Sequence, residues 1–394
     1  MKGNPGAADL APRLQARLDG AEIARLARRL IAIPTENPPG ESYEACAAAL
    51  CETLSHLGFD GIRREGDCVL ARAGKPDGPA LCFSGHYDVV PAQRRDQFTP
   101  RVEGGNLFGR GASDMKGGLA AMLHAAAAAR DAGLLEAGHL AIALVPDEET
   151  AGPRGSRALA AAGLLGQDAI GMLTPEPTGG VVWHASRGAL TLRVTMRGKA
   201  AHVGRQFEGV NAFEHALPAL ARLAAIKDEV ERRETAYPIA PAAARRSILM
   251  LGCRVEGGTN FNITPESFSF TLDRRLNPEE DLAEEERRLH DALAGCEIET
   301  LQREPAAATP ADAPPGVALA RHIAAVTGKP PAFELCPGLL ETRFYAGRGI
   351  PAYAYGPGLL TVSHGPNEFV PLRNLAACAL IYALTAADLL RAHL

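Results

Sequence analysis

The chain has 394 residues, 46% of them hydrophobic and 22% charged, with a formal net charge of -5 and a pI near 6.2. That length exceeds what one compact core holds, so two domains are expected, and the acidic balance excludes a nucleic-acid binder built on a concentrated basic face. No apolar run reaches the roughly 18 residues of a membrane span, and the opening MKGNPGAADLAPRLQARL lacks the apolar centre of a secretory signal, so a cytoplasmic protein without a membrane partner is expected.

In chain order, amphipathic helices are expected over Glu22–Ile31, ending before Pro34, and over Tyr43–Leu57, stopped by Gly58. Apolar strands are expected at Ala80–Val90, His139–Val145 and Ala169–Leu173, with an Ala-rich helix near Gly117–Arg130 between the first two. Strand–helix alternation with continuous apolar strands points to an α/β domain with a mostly parallel central sheet covered on both faces. The pattern changes after Gly188, where Leu190, Leu192, Val194 and Met196 alternate with polar residues. A helix over Asn211–Arg233, strands at Ser247–Val255 and Phe268–Asp273, a helix capped by Asn277 with Pro278 and Glu280, and a strand near Ile298–Leu301 complete a β-α-β-β-α-β order. The segment Glu304–Pro315 reads as a linker. A helix to Val326, strands near Phe333 and at Ala352–Tyr355, and a terminal helix from Leu372 follow. The expected organisation is a catalytic domain in two parts, 1–186 and 304–394, around an inserted domain, 187–303.

Eight cysteines (Cys46, Cys51, Cys68, Cys82, Cys253, Cys296, Cys336 and Cys378) form no C-x-x-C pair and are expected as reduced, mostly buried thiols rather than zinc ligands. The chemistry is expected where the α/β strands end, since ligands in open α/β sheets bind at the carboxyl ends of strands. His86 and Asp88 follow the first strand and would fall on one side of an extended segment, as an imidazole ligand and the carboxylate that orients it; alone, they read equally as a turn. Asp114, in GRGASDMKGG, would by itself be a helix cap, and the order of a phosphate-binding P-loop is absent. Glu148 and Glu149 follow the second strand and point in different directions, so one could bind metal while the other handles a proton; a solvated acidic loop is the plain alternative. Glu176 lies between two prolines in TPEPT and His364 lies in SHGPNEF. Their joint placement at strand ends or in adjoining turns is what points to one site.

The segments SGHYDVVP, GRGASDMKGG, PDEETAGPRGS, TPEPT, KAAHVGRQFEGVNA and YGPGLLTVSHGPNEFV together resemble the metallohydrolase family of aminoacylase, carboxypeptidase G, acetylornithine deacetylase and succinyl-diaminopimelate desuccinylase, in the family order from about Ile33 to the C-terminus. The resemblance implies a zinc-peptidase-like catalytic domain and a ferredoxin-like inserted domain that forms a homodimer. It implies two Zn2+ per chain, one on His86 and Glu176, the other on His364 and Glu149, with Asp114 bridging them through a residue whose bond to Met115 is cis. Glu148 would be general base and acid, and Asp88 would orient His86. His202 would reach the partner's site and stabilise the oxyanion, and Asn262 and Arg275 would bind polar groups of the substrate. Co2+ or Mn2+ would also suit such mixed imidazole and carboxylate donors.

Arg275 could equally be a strand arginine paired with Asp273; Arg274, facing the other way, is given no role. Trp183 and the aromatics of 268–270 are expected in packing, and His56, His124, His139, His184, His215, His290, His322 and His393 as structural or exposed. Two departures bear on specificity. Arg205 stands where relatives often carry proline, and CPGLLETRF has Leu339 and Leu340 where many carry hydroxyl residues and Glu341 where many carry Asp. These weaken the expectation of N-succinyl-diaminopimelate as substrate. The expected function is removal of an acyl group from an N-acyl amino acid or related small carboxylate. A dipeptidase or carboxypeptidase using the same site is the alternative, and a non-catalytic metal- or peptide-binding protein is disfavoured because Glu148 is present.

Overall fold

The computed structural model describes residues 7–391; His393 lies outside the described residues. The chain divides into two compact units, one of Met1–His184, Thr309–Phe333 and Phe344–Leu394, the other of Ala185–Ala308 and Glu334–Arg343.

In the first unit the strands lie in the spatial order Asp60–Glu65, Cys68–Gly74, His139–Val145, Ala80–His86, Ala169–Thr174, Ala352–Ala354 and Val182–Ser186. The central four are parallel and the flanking strands antiparallel, a mixed sheet with a parallel centre. Side-chain alternation divides the core between the two faces. Leu81, Phe83, Leu140, Ile142 and Leu144 pack under the helices, while Cys68, Leu70, Cys82, Ala143, Val145 and Met172 meet Leu159, Leu165, Tyr345 and Ile350 on the other face. The helix Lys116–Asp131 is buried along almost its whole length, and its alanines let it lie against Gly20–Ile31 and Leu372–Arg391. Leu372–Arg391 is long and apolar enough to cross a membrane by length and composition, contrary to the expectation that no such stretch exists. Here it is a core helix, with Leu375, Ile381, Tyr382, Leu384 and Leu390 buried.

The structure corrects several expected elements. The strand from Ala80 ends at His86, because the Tyr87 carbonyl and the Val89 N–H and carbonyl bond instead with the loop at Thr35–Asn37. The hairpin Asp60–Glu65/Cys68–Gly74, and a small sheet of Arg101–Glu103, Asn106–Phe108 and Phe369–Pro371, were not expected; their strands are short or charged and lack a clear alternation. The stretch 304–315 is less of a linker than its composition suggests, since Ala307–Ala308 pairs with Ala185 and Ser186 and the next helix opens at Pro314. The cysteines are all free, five of them buried.

The second unit is a four-stranded antiparallel sheet, Ile248–Gly257, Ser267–Leu276, Gly188–Arg197 and Glu297–Glu304 in spatial order, with the helices Ala212–Val230 and Leu282–Ala292 packed against it. This is the ferredoxin-like order the pattern predicts. Asn277 does not cap the second helix. That helix starts at Leu282 and its cap is Asp281, which accepts from the Glu284 N–H. Glu280 does accept from the Asn277 N–H, but its carboxylate is drawn into a buried cluster with Arg274, Arg233 and Ser247, so the chain makes a turn there first. Arg274 is fully buried and also bonds Glu285, so it is a structural charge that orders the interior of this unit.

Two glycines decide where the loop after Ala169–Thr174 runs. Pro175 and Glu176 pass between Gly118, in the first turn of Lys116–Asp131, and Gly356. A Cβ at either glycine would run into the backbone carbonyl of Pro175, and at Gly356 also into that of Glu176. Helix propensity alone favours Ala over Gly by about 1 kcal/mol. A clash with backbone cannot be relieved by rotating a side chain, and overpacking typically costs about 1–3 kcal/mol. We therefore expect Gly118→Ala to lower the unfolding free energy, measured by urea denaturation, whereas Gly338→Ala, with open space around it, should stay within about 0.5 kcal/mol of the parent. An unchanged or more stable Gly118→Ala protein would show that the Pro175 loop yields freely.

Candidate metal centre

Adjacent parallel strands end side by side, with His86 in register with Val145, and this brings their C-terminal turns together. His86 is the last residue of its strand. Glu148 and Glu149 lie in the turn after His139–Val145, and Glu176 follows Ala169–Thr174. Asp114 stands just before the helix Lys116–Asp131, across a cis bond to Met115, as expected. His364 lies beyond Ala352–Ala354 with a left-handed backbone (φ 64°).

Seven of the ten expected site residues converge: His86, Asp88, Asp114, Glu148, Glu149, Glu176 and His364. Asp114 stands in the middle. Its Oδ1 is 3.2 Å from His86 Nε2 and its Oδ2 is 3.3 Å from His364 Nε2. Glu149 Oε2 lies 3.2 Å from His364 Nε2, and Glu176 Oε2 and Glu148 Oε2 each lie 4.0 Å from His86 Nε2. His86, Asp88, Asp114 and Glu176 are buried, while the His364 side chain is 48% exposed, so the cluster opens to solvent on the His364 side.

His86 Nδ1 donates to the Asp88 backbone carbonyl at 3.0 Å, with Asp88 Oδ1 at 3.3 Å. A hydrogen on Nδ1 leaves Nε2, the nitrogen facing Asp114 and Glu176, as the one with a lone pair for a cation. The Asp88 carboxylate also accepts from the N–H groups of Glu148 and Glu149, at 3.2 Å each, so one side chain orients the imidazole and both glutamates.

The electrostatics are those of crowded acids around two bases. Burial opposes the charged form of His86, but hydrogen bonds to Asp114 and Asp88 and the charges of Glu148 and Glu176 outweigh it and hold its pKa well above the usual imidazole range. His364 is pushed up to about 10 by Asp114 and Glu149. Burial works against ionised Asp114, yet His364 and His86 hold its pKa below the usual carboxylate range. Burial and the charge of Asp114 push Glu149 up.

Sequence reasoning missed the supports beneath the ligands. Asn37 Nδ2 donates to Asp88 Oδ2 (2.9 Å) and Thr150 Oγ1 (3.0 Å). Glu368 Oε1 gathers the N–H groups of Gly111, Ser113 and Asp114 within 3.0 Å. Glu368 sits inside the quoted SHGPNEF motif, four residues after His364, and that proximity was the available signal. Asn37 precedes two prolines, which announced only a rigid turn.

The other three expected residues belong to the second unit. His202 is exposed, and its Nδ1 accepts from the Gly204 N–H at 3.1 Å. Asn262 is near it: its carbonyl accepts from Val203 N–H, and its Oδ1 is buried with no protein partner among the described residues. Arg275 pairs with Asp273, at 2.6 and 3.1 Å, which is the plain alternative raised for it.

The donors suit divalent cations. Tetrahedral ligands about 2.0–2.1 Å from a zinc ion lie roughly 3.3 Å from one another. The imidazole-to-carboxylate separations of 3.2–3.3 Å around Asp114 match that spacing, and ligand atoms of His86, Asp114 and Glu149 all fall within 4.8 Å. The comparisons agree with this geometry. The family model described as peptidase family M20/M25/M40 matches residues 82–388. A succinyl-diaminopimelate desuccinylase of Alkalilimnicola ehrlichii is 32% identical over 380 residues, 92% of this chain and 97% of that protein. Among solved structures, the di-peptidase Dug1p of Saccharomyces cerevisiae superposes with a TM-score of 0.75 at 17% identity, covering 97% of this chain and 99% of that one. A dinuclear metal-binding M20 peptidase of Bacillus subtilis superposes at 0.67 and 16%, covering 94% and 98%. With acids and imidazoles gathered at its strand ends, and a family match across most of its length, this chain belongs to the M20/M25/M40 family and is a metal-dependent hydrolase.

Proposed function

We propose that this hydrolase uses two divalent metals, zinc by preference, to remove an acyl group from the nitrogen of an N-acyl amino acid or related small carboxylate. The observation that carries the two-metal reading is Asp114, whose two carboxylate oxygens face two different imidazoles. His86 and Glu176 would hold one ion, and Glu149 and His364 the other. When bound, the pair would polarise the scissile carbonyl and lower the pKa of the attacking water. Glu148 is adjacent to this set and is the carboxylate proposed to work on protons. It would accept the proton of the attacking water and return it to the leaving amine. Asp88 keeps Glu148 in place through its N–H and keeps the His86 tautomer fixed. The name of the 32%-identical relative, a desuccinylase, favours acyl removal over peptide cleavage; the di-peptidase fold neighbour keeps the second reading in view. Leu340 is buried, and neither Leu339 nor Leu340 offers a hydroxyl to a second carboxylate, which favours an acyl group less polar than succinyl, or a different acid.

We also propose that the second unit, the inserted lid and dimerisation domain of the family, pairs with a second copy of itself. Its edge strand Ile248–Gly257 is paired on one side only among the described strands. Met250 and Val255 on that strand, and Phe213 and Leu217 on the packed helix, are exposed. Exposed His202, its ring anchored by Gly204, would then be available to the partner's site, with Asn262 and Arg275 as contacts for polar groups of the substrate.

The first test is hydrolysis of N-acetyl, N-formyl and N-succinyl amino acids, N-succinyl-diaminopimelate and dipeptides by the zinc-, cobalt- or manganese-loaded chain. Metal-dependent turnover of N-acyl amino acids is expected. Dipeptides as the better substrates would overturn the deacylase reading, and a clear preference for N-succinyl-diaminopimelate would overturn the specificity argument alone. Glu148→Gln should retain both metals and lose turnover by about 10²–10⁴-fold; full activity would remove Glu148 from the proton transfers. Sedimentation at micromolar concentration should give a dimer, and a monomer with full activity would rule out the role of His202 in trans.

A further inference from the structure

Two loops of the first unit bear Asp114 and His364, and a short sheet brings them together. Asn106–Phe108 pairs antiparallel with Phe369–Pro371, with Phe108 opposite Phe369, so the residues after Phe108 and those before Phe369 leave the sheet side by side. Gly109 N–H donates to the Glu368 carbonyl at 3.0 Å, which continues that pairing by one step. At this exit lies an ion pair that the chemistry described so far does not use. Arg110 and Glu368 are 1% exposed or less and bond through Nη1 and Oε2.

Each partner holds one loop. Glu368 Oε1 accepts three N–H groups, the last of them from Asp114 itself. Arg110 Nη2 donates to the His364 carbonyl at 3.1 Å and to Gln93 Oε1 at 2.9 Å. Gln93 Nε2 donates to the same carbonyl at 2.8 Å. His364 has a backbone conformation that residues with a side chain adopt rarely, so what holds its peptide holds its ring. The His86 ring is fixed separately, by Asp88, and meets this network only through Asp114.

We infer that Arg110 and Glu368 are positioning residues that set the separation of Asp114 from His364, and that Arg110, acting through the His364 peptide, sets the affinity of one metal site and not the other. The inference rests on the two-site reading proposed above. Breaking the pair at Arg110 frees the His364 peptide while Glu368 still gathers the Asp114 loop. The His364–Glu149 site should therefore loosen while the His86–Glu176 site keeps its ligands. Outer partners of metal ligands typically account for about 10–100-fold in affinity.

The test is cobalt(II) titration of the metal-stripped full chain, followed by visible absorption. The parent should take up two ions. Arg110→Met should keep one ion at the parent's affinity and bind the other about 10–100-fold more weakly. Its one-ion spectrum should match that of His364→Ala and differ from that of His86→Ala. Gln93 is exposed, so Gln93→Ala carries little folding burden. It removes one of the two donors to the His364 carbonyl and should weaken the same ion by about 2–10-fold. If Arg110→Met does not fold, Gln93→Ala decides alone. Equal weakening of both ions, or parent-like binding of both, would overturn the inference with the two-site reading intact. Uptake of a single ion by the parent would overturn both.

Discussion

The structure is organised around a repulsion. Asp88, Asp114, Glu148, Glu149 and Glu176 crowd one end of the parallel strands, largely out of water, against only two imidazoles. Five carboxylates outnumber the two imidazoles there, and an uncompensated buried charge is among the most destabilising features a fold can carry. The upward shifts of His86, His364 and Glu149 are the local response. Divalent cations answer the excess more completely.

Holding that arrangement requires backbone, because the side chains would otherwise move apart. The acids are fixed through peptide N–H groups: those of Glu148 and Glu149 on Asp88, and those of Gly111, Ser113 and Asp114 on Glu368. In both places one carboxylate is used as a collector of donors, and its charge also orders the loops carrying the others. The glycines at 118 and 356 serve the same end sterically, leaving a slot just wide enough for Pro175 and Glu176. The alanines of Lys116–Asp131 let that helix sit close enough to define one wall of the slot.

How much of this could be read from sequence follows from how local each signal is. The strand-end cluster was legible because His86, Glu149 and Glu176 each close or follow an apolar run, and a run that ends in an acid or a histidine is visible without knowing its neighbours. The ferredoxin-like order was legible because Leu190 to Met196 and Phe268 to Leu272 alternate with period two. The Asn277 cap was misjudged for the opposite reason. The local pattern is sound, but Glu280 is claimed by Arg274 and Arg233, residues distant in sequence or facing inward, and the helix waits for Asp281. Arg274 was given no role because it faces away from Arg275, but that face is the interior, where Glu285 holds it, a partner that a single strand does not reveal. Glu368 lay in plain view within a quoted motif, but its three donors come from residues more than 250 positions away.

The same reasoning separates what the site must keep from what it can vary. The strand-end acids and imidazoles meet at Asp114 and are held by Asp88 and Glu368, and a deacylase and a peptidase built on this arrangement would share it unchanged. Substrate preference then has to reside in residues outside that arrangement. Leu339 and Leu340 meet this condition. They lie in the second unit, where the Leu340 carbonyl serves the Arg343 guanidinium at 2.8 Å and Arg343 in turn pairs with Glu304 at 2.7 Å. That anchoring uses the Leu340 carbonyl and the charge of Arg343, while the Leu340 side chain is itself buried. On the deacylase reading proposed above, a change of acyl preference at these two positions would leave in place the strand-end acids, which belong to the first unit.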